Sequence, residues 1–153
     1  MMEENFIERV NIRSFSEADL EAIVEIDRKV LGKDRLNYWK QQIGLSNAHY
    51  PLSCLVAELE GKVIGFILGE VSGGEFNVPD TVGWINTIGV DPAYQQQGVA
   101  RKLGQEFTKN LKSIGVTIVY TLVNWSDWGL LQFFHAMGFS RGEEMINLEL
   151  HLI

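Results

Sequence analysis

Between Asp91 and Leu103 the chain reads DPAYQQQGVARKL. Gln95, Gly98 and Ala100 give the spacing Q-x-x-G-x-A, set between a β-branched run and an amphipathic one. A strand that leads through such a loop into a helix ends on free backbone N–H groups and a partial positive charge. Small residues at Gly98 and Ala100 let a phosphate come close to those amides, and Arg101 and Lys102 add positive charge. The chemistry suggested is phosphate binding. On spacing alone, a loop closing in an ordinary helix cap accounts for the same residues. Neither G-x-G-x-x-G nor G-x-x-x-x-G-K-S/T occurs, which disfavours a dinucleotide fold and a P-loop.

The elements around this loop follow from hydrophobic period and turn residues. FIERVNIR alternates loosely through Phe6, Glu8, Val10 and Ile12 and reads as a strand. Ser16 and Asp19 form a capping-box-like start, and Leu20, Ile23, Val24, Val30 and Leu31 continue at helical spacing. A weaker helix is expected over Asn37 to Leu45. Cys54–Leu59 and Val63–Val71 read as strands joined by a tight turn at Glu60-Gly61-Lys62. Val82–Val90 is the next strand, ended by Asp91-Pro92 because proline cannot donate to a ladder. Val99, Leu103, Phe107, Leu111 and Ile114 share one helix face, with Gly115 as its stop. Val116–Val123 has the β-branched character of a buried strand. Leu130, Leu131, Phe133, Phe134 and Met137 suggest a helix ending at Gly138. Ile146, Leu148, Leu150 and Leu152 alternate with polar residues as in a half-buried strand. The order β-α-α-β-β-β-α-β-α-β gives a mixed α/β or α+β fold, with one sheet flanked by helices.

The chain has 153 residues, which fits a single domain over residues 1–153. Thirteen basic against twenty acidic residues leave a net charge of −7. That balance argues against a duplex nucleic-acid binder and mildly favours cationic partners. No apolar stretch is long enough to span a bilayer, and MMEENFIERV lacks a signal-type apolar run, so a cytoplasmic protein is expected. The lone Cys54 excludes an intrachain disulfide and a multi-cysteine metal site.

The stretch WINTIGVDPAYQQQGVARKL resembles motif A of the GNAT superfamily of N-acetyltransferases. VNIRSFSEADLEAIVEID resembles that family's opening strand and acidic first helix, LEGKVIGFILGEV its central hairpin, and LLQFFHAMGF its C-terminal helix. The resemblance covers roughly the whole chain in the right order. It implies a strongly twisted mixed sheet, splayed between Val82–Val90 and Val116–Val123, with acetyl-CoA as cosubstrate in the opening and no metal. The pantetheine arm would pair with the backbone of Ile88, Gly89 and Val90 as an added strand. The pyrophosphate would sit on the loop of Gln95, Gln96 and Gln97 and on the amides of Gly98, Val99, Ala100 and Arg101, with Lys102 alongside. The side chains of Ile88 and Val90 also suit a core, so the functional claim there concerns backbone.

Two family positions depart from pattern. Asp127 stands where the family typically has the Asn that helps hold CoA, and Phe134 where it has the Tyr that protonates the leaving thiolate. Asp127 when ionised only accepts hydrogen bonds, and Phe134, which has no proton to give, suits core packing. Glu70, at the end of its strand beside the expected cleft, is the candidate base; a solvated strand-end carboxylate explains it equally well. Tyr120 is a candidate substitute acid, and Tyr94 suits packing at the loop. Glu25 and Asp27 on the first helix would favour a cationic acceptor, with Glu75 and Asp80 weaker contributors; exposed helix charges also serve solubility. Trp84, Trp125 and Trp128 are candidates to wall an acceptor pocket, or else packing tryptophans. His135 adjoins Phe134 without sharing its face. The implied activity is N-acetyl transfer to a small-molecule or peptide amine by a monomer or homodimer, without nucleic-acid or membrane partners. A non-catalytic acyl-CoA-binding sensor is the alternative.

Overall fold

The computed structural model describes residues 5–49, 51–73 and 81–152, which fall into two compact units, Met1–Leu122 and Val123–Ile153. The first unit holds five strands, β1 (Asn11–Ser14), β2 (Cys54–Leu59), β3 (Lys62–Ser72), β4 (Val82–Val90) and β5 (Val119–Thr121). Its helices are α1 (Phe6–Arg9), α2 (Leu20–Leu31), α3 (Leu36–His49) and α4 (Val99–Ser113). The second unit holds α5 (Trp128–Ala136). The sheet order is β1-β2-β3-β4-β5, antiparallel throughout except for the parallel β4–β5 pair.

The expected local signals set the elements. Asp19 accepts from the Ser16 amide at 2.8 Å and completes a capping box, so a short 3₁₀ turn runs directly into α2. The Arg13 guanidinium grips Asp19 at 2.7 and 2.8 Å and also bonds Glu58, which ties β1, α2 and β2 together. Those bonds hold the Asp19 carboxyl below its ordinary range. Gly32 ends α2 in the left-handed region. Glu60 and Gly61, both at positive φ, make the β2–β3 turn.

The sheet buries both faces. Phe66 and Leu68 of β3 meet Ile23 and Ile26 of α2, Trp39 of α3 and Val56 of β2 in one cluster. Val99, Leu103, Phe107 and Leu111 of α4 are fully buried on the opposite face, where α4 lies against Gly65, Gly69 and Gly83. Cys54 belongs to the first cluster, and burial pushes its thiol up to about 12.

Three expectations need correction. Phe6–Arg9 is a helical turn rather than strand. The Phe6 ring stacks on Tyr94 at 6.2 Å, and the Lys102 ammonium takes the carbonyls of Ile7 and Val10, so the segment curls around those partners. Val116–Val123 contributes only Val119–Thr121 to the ladder, because its partner β4 bends away beyond Ile85. Ile146–Leu152 joins no ladder among the described residues, although its alternation is that of a strand.

Candidate active site

The site is built along β4. Pairing with β3 runs the length of β4, but Thr87 opposes Leu68 and Ile85 opposes Gly69, so Asn86 is an extra residue. Such a bulge bends its strand and raises the local twist. Pairing with β5 covers only Gly83, Trp84 and Ile85. From Asn86 to Val90 the edge of β4 away from β3 therefore pairs with no strand among the described residues. The Asp91 amide donates to the Ile64 carbonyl at 2.8 Å. By antiparallel alternation, Gly89 directs its polar groups to β3, while Ile88 and Val90 direct theirs to the open edge. The Val90 carbonyl already accepts from Gln95 Nε2 at 3.0 Å. Ile88 N–H, Ile88 C=O and Val90 N–H remain on that edge. The splay between β4 and β5 is thus present, and its cause is the bulge.

Gly89 has a packing reason of its own. A Cβ there would lie 2.7 Å from the Phe66 ring, so only glycine lets β4 pass over the core at this point.

The loop after β4 delivers α4. Asp91, buried, caps the Pro92–Tyr94 turn through the Ala93 amide at 3.0 Å and lies 3.5 Å from Lys29 Nζ. Tyr94 packs under Phe6, with Lys62 over its ring at 5.4 Å. Gln95, Gln96 and Gln97 are exposed, and Gln96 joins Gly98 at positive φ. Gly98 is the residue before α4, at φ +93°, and no side chain caps the helix start. The first amides, on Val99, Ala100 and Arg101, thus have no intrahelical acceptor, which is the arrangement that attracts anions. The Val99 side chain is core, packed toward Gly65. Arg101 is exposed. Lys102 is turned away, with its ammonium donating to Ile7 and Val10 carbonyls.

A second set of residues shares one sheet face beside the bulge. Glu70 pairs with Trp84, and Trp84 with Tyr120, so the three form a row across β3, β4 and β5. The Trp84 and Tyr120 rings touch, with centroids 5.0 Å apart. At the usual strand spacing Glu70 and Tyr120 stand about 10 Å apart, with Trp84 between them. The sheet therefore brings both candidate catalytic groups to one face without letting them meet. The row lies on the α2–α3 side, since Phe66 and Leu68 alternate in phase with Glu70. Tyr38 of α3 faces it. Burial raises the Tyr38 phenol, and the Asp27 and Glu70 carboxylates add to that rise against the opposing Arg35 guanidinium.

Asp27 and Glu25 do not act as a free acidic field. Asp27 is buried and takes the Arg35 guanidinium at 2.8 and 2.9 Å together with the Trp39 indole N–H at 3.0 Å. Glu25 pairs with Arg28 one turn on. Glu75 and Asp80 lie outside the described residues.

The second unit holds the remaining candidates. Asp127 caps α5 by accepting from the Leu130 amide at 3.1 Å. Phe134 is buried, with Phe133 and Phe139 against its ring. His135, Trp125 and Trp128 are exposed, and Arg141 lies over Trp125 at 5.0 Å. Sequence reasoning missed Asn86, Tyr38 and Arg35. Tyr38 and Arg35 carried only a helical period as signal, and Asn86 carried none, because a bulge is a property of paired register.

The sequence pattern and the fold are shared with a known class of proteins. The chain belongs to the acetyltransferase (GNAT) family, whose pattern matches residues 18–139 and so runs through both units. A mycothiol acetyltransferase of Thermomonospora curvata is 31% identical over 91 residues, which are 60% of this chain and 29% of that protein. The chain thus matches under a third of that relative's length. The fold is that of aminoglycoside N-acetyltransferase AAC(6')-Iy, solved in complex with CoA, at a TM-score of 0.79 and 19% identity. That match covers 94% of this chain and 95% of the other. Ard1 of Thermoplasma volcanium superposes with a TM-score of 0.75 at 23% identity, covering 88% and 85%. No helix among the described residues is long and apolar enough to cross a membrane.

Proposed function

We propose that the chain, working as one domain, transfers an acetyl group from acetyl-CoA to a primary amine by direct attack in a ternary complex. The observation that carries this reading is the open β4 edge running straight into the uncapped start of α4. The order of features along β4 supports one direction for the cosubstrate. Phosphates belong at the Gln96–Arg101 amides, the pantetheine arm along Val90 and Ile88, and the acyl end at the Asn86 bulge. Trp84 lies two residues beyond the bulge, so the acceptor amine belongs on the Glu70–Trp84–Tyr120 row.

On that row each residue has a separate task. Glu70, acting through a water, takes the proton that an ammonium with pKa about 10.4 must lose before its nitrogen can attack. The amide of Ile88, nearer the row than that of Val90, donates to the acyl oxygen as negative charge grows there. The new C–N bond forms as the C–S bond breaks. Tyr120 or water then protonates sulfur, whose thiol pKa near 8.5 makes it a good leaving group. The aromatic rings of Trp84 and Tyr120 beside Glu70 suit a cationic acceptor, small molecule or peptide. Aminoglycosides are one acceptor class among proteins of this fold.

Mixing the protein with acetyl-CoA and a panel of mono-, di- and polyamines, and following thiol release, tests this. Release with cationic amines is expected. Tight CoA binding without release across the panel overturns it in favour of an acyl-CoA sensor, the reading that Phe134 and the cap role of Asp127 favour. Absence of CoA binding overturns both.

A further inference from the structure

Gln96 and Gly98 both stand at positive φ, 61° and 93°. A non-glycine residue keeps that conformation only where its surroundings impose it. Asp91 and Gln95 secure the first half of the loop through the Ala93 amide and the Val90 carbonyl. Beyond Gln95 the chain reaches α4 through two exposed glutamines and a glycine, and no side chain caps the helix. One turn of chain from some ninety residues earlier lies against this stretch. The Phe6 ring stacks on Tyr94, with centroids 6.2 Å apart and planes 11° from parallel. The Ile7 side chain is what a Cβ on Gly98 would meet, at 3.5 Å. The Lys102 ammonium donates to the Ile7 carbonyl at 2.9 Å and to that of Val10, which pins the backbone of the same segment to α4. Adjacent residues of a strand point to opposite faces, so a strand at this place could set only one of Phe6 and Ile7 on the loop. The helical turn of α1 sets both there and leaves Glu8 and Arg9 exposed.

We infer that Phe6 and Ile7 are positioning residues for CoA: docked on Tyr94 and Gly98, they hold the Gln95–Gly98 loop in the form that aims the α4 amides at the phosphates. The inference rests on the proposed assignment of those amides to CoA. Both side chains are apolar and do nothing to a phosphate directly. They act by pre-organisation, because affinity falls with the fraction of chains whose loop already has the binding form. The effect is reciprocal by linkage, so CoA on the loop must also stabilise the docked turn. The Lys102 ammonium ties down backbone at α4, whereas the two side chains reach the loop itself.

Calorimetric titration of CoA into the full chain carrying Phe6→Ala with Ile7→Ala tests this. Kd should rise about tenfold, as it does when the held form falls to about a tenth of the population. Glu8→Ala, on the exposed side of the same turn, should leave Kd unchanged. Phe6→Tyr, which keeps the stacked ring, should bind within about twofold of the wild type. In the double variant KM for acetyl-CoA should rise with Kd, while kcat/KM for S-acetyl-N-acetylcysteamine, a thioester without phosphates, should stay at the wild-type value. In the wild type, saturating CoA should slow hydrogen exchange at amides 7–10, a readout that decides the matter even where the double variant fails to fold. Wild-type CoA affinity in the folded double variant, an equal loss with the phosphate-free thioester, or exchange at 7–10 that ignores CoA overturns this inference alone. A wild type that binds no CoA overturns the proposed site, and this inference with it.

Discussion

Gly98→Glu probes the proposed phosphate site next to the α4 amides. A Cβ built on Gly98 meets only Ile7, at 3.5 Å, so space is available. The obstacle is the backbone at φ +93°, where an L residue costs about 1–2 kcal/mol. That cost falls on the fold, and Gly98→Ala carries it alone. Gly98→Glu carries the same strain and adds a carboxylate beside the amides of Val99, Ala100 and Arg101. Two unit charges about 6 Å apart repel by roughly 0.7 kcal/mol in water and 2.8 kcal/mol near a protein surface. About 1.4 kcal/mol, within that range, corresponds to tenfold in affinity. Calorimetric titration with CoA should therefore show the Glu variant about tenfold weaker than the Ala variant, with equal melting temperatures. The gap should narrow with salt, because the Debye length falls from about 30 Å at 0.01 M to 3 Å at 1 M. Equal CoA affinity in the two folded variants would refute the assignment of this loop.

Glu70→Gln should lower kcat by about 10²-fold or more while KM for acetyl-CoA stays unchanged, and residual turnover should climb with pH as the free amine becomes available; full activity across pH removes Glu70 as base. Lys102→Met should lower stability by about 1.5–3 kcal/mol, since it leaves the Ile7 and Val10 carbonyls without their charged donor. The same variant should change CoA affinity by less than about threefold, and a tenfold loss by calorimetry would mean that the ammonium serves phosphate instead. Asp19→Asn should destabilise the fold in denaturant titrations. The wild-type carboxyl is depressed by Arg13, so its contribution is present above the unfolded value of about 3.9 and lost as pH falls toward the folded value. The stability gap between the two should therefore close in acid, and a pH-independent gap would rule out the Arg13 pair as its source.

Signals that depend on a few adjacent residues were legible in the sequence. The Ser16–Asp19 box, the Glu60-Gly61 turn, and the helix stops at Gly115 and Gly138 all rest on local backbone preference, and the structure holds each of these glycines at positive φ. The turn at Gly98 that leads into α4 was legible for the same reason. What stayed hidden depends on partners distant in the chain. Lys102 reads as a phosphate ligand until the carbonyls of Ile7 and Val10, more than ninety residues earlier, come alongside it. Asp27 reads as a surface carboxylate until Arg35 and Trp39 close over it. The strand-like Val116–Val123 run is cut to three residues by a bulge on β4, which no residue of β5 announces.

Those distant partners also decide where the molecule's negative charge can act. The net −7 suggests an acidic surface drawing in a cation, but most of the carboxylates around α2 and the hairpin are already matched. Asp19 and Glu58 share Arg13, Glu25 holds Arg28, Asp27 holds Arg35, Glu60 holds Arg9, and Asp91 lies within reach of Lys29. Each such pair presents a dipole to an approaching ligand, and its field falls off faster than that of a single charge. Glu70 forms no ion pair among the described residues. It stands on the Trp84 row, where two π faces add to its attraction for a cation and the neighbouring sheet limits solvent on one side. Under the proposed function, selection for a cationic amine would belong to one carboxylate and the rings beside it. Neutralising Glu70 should therefore cost a diamine or polyamine more in KM than it costs a singly charged amine, a difference that the loss of a general base alone would not produce.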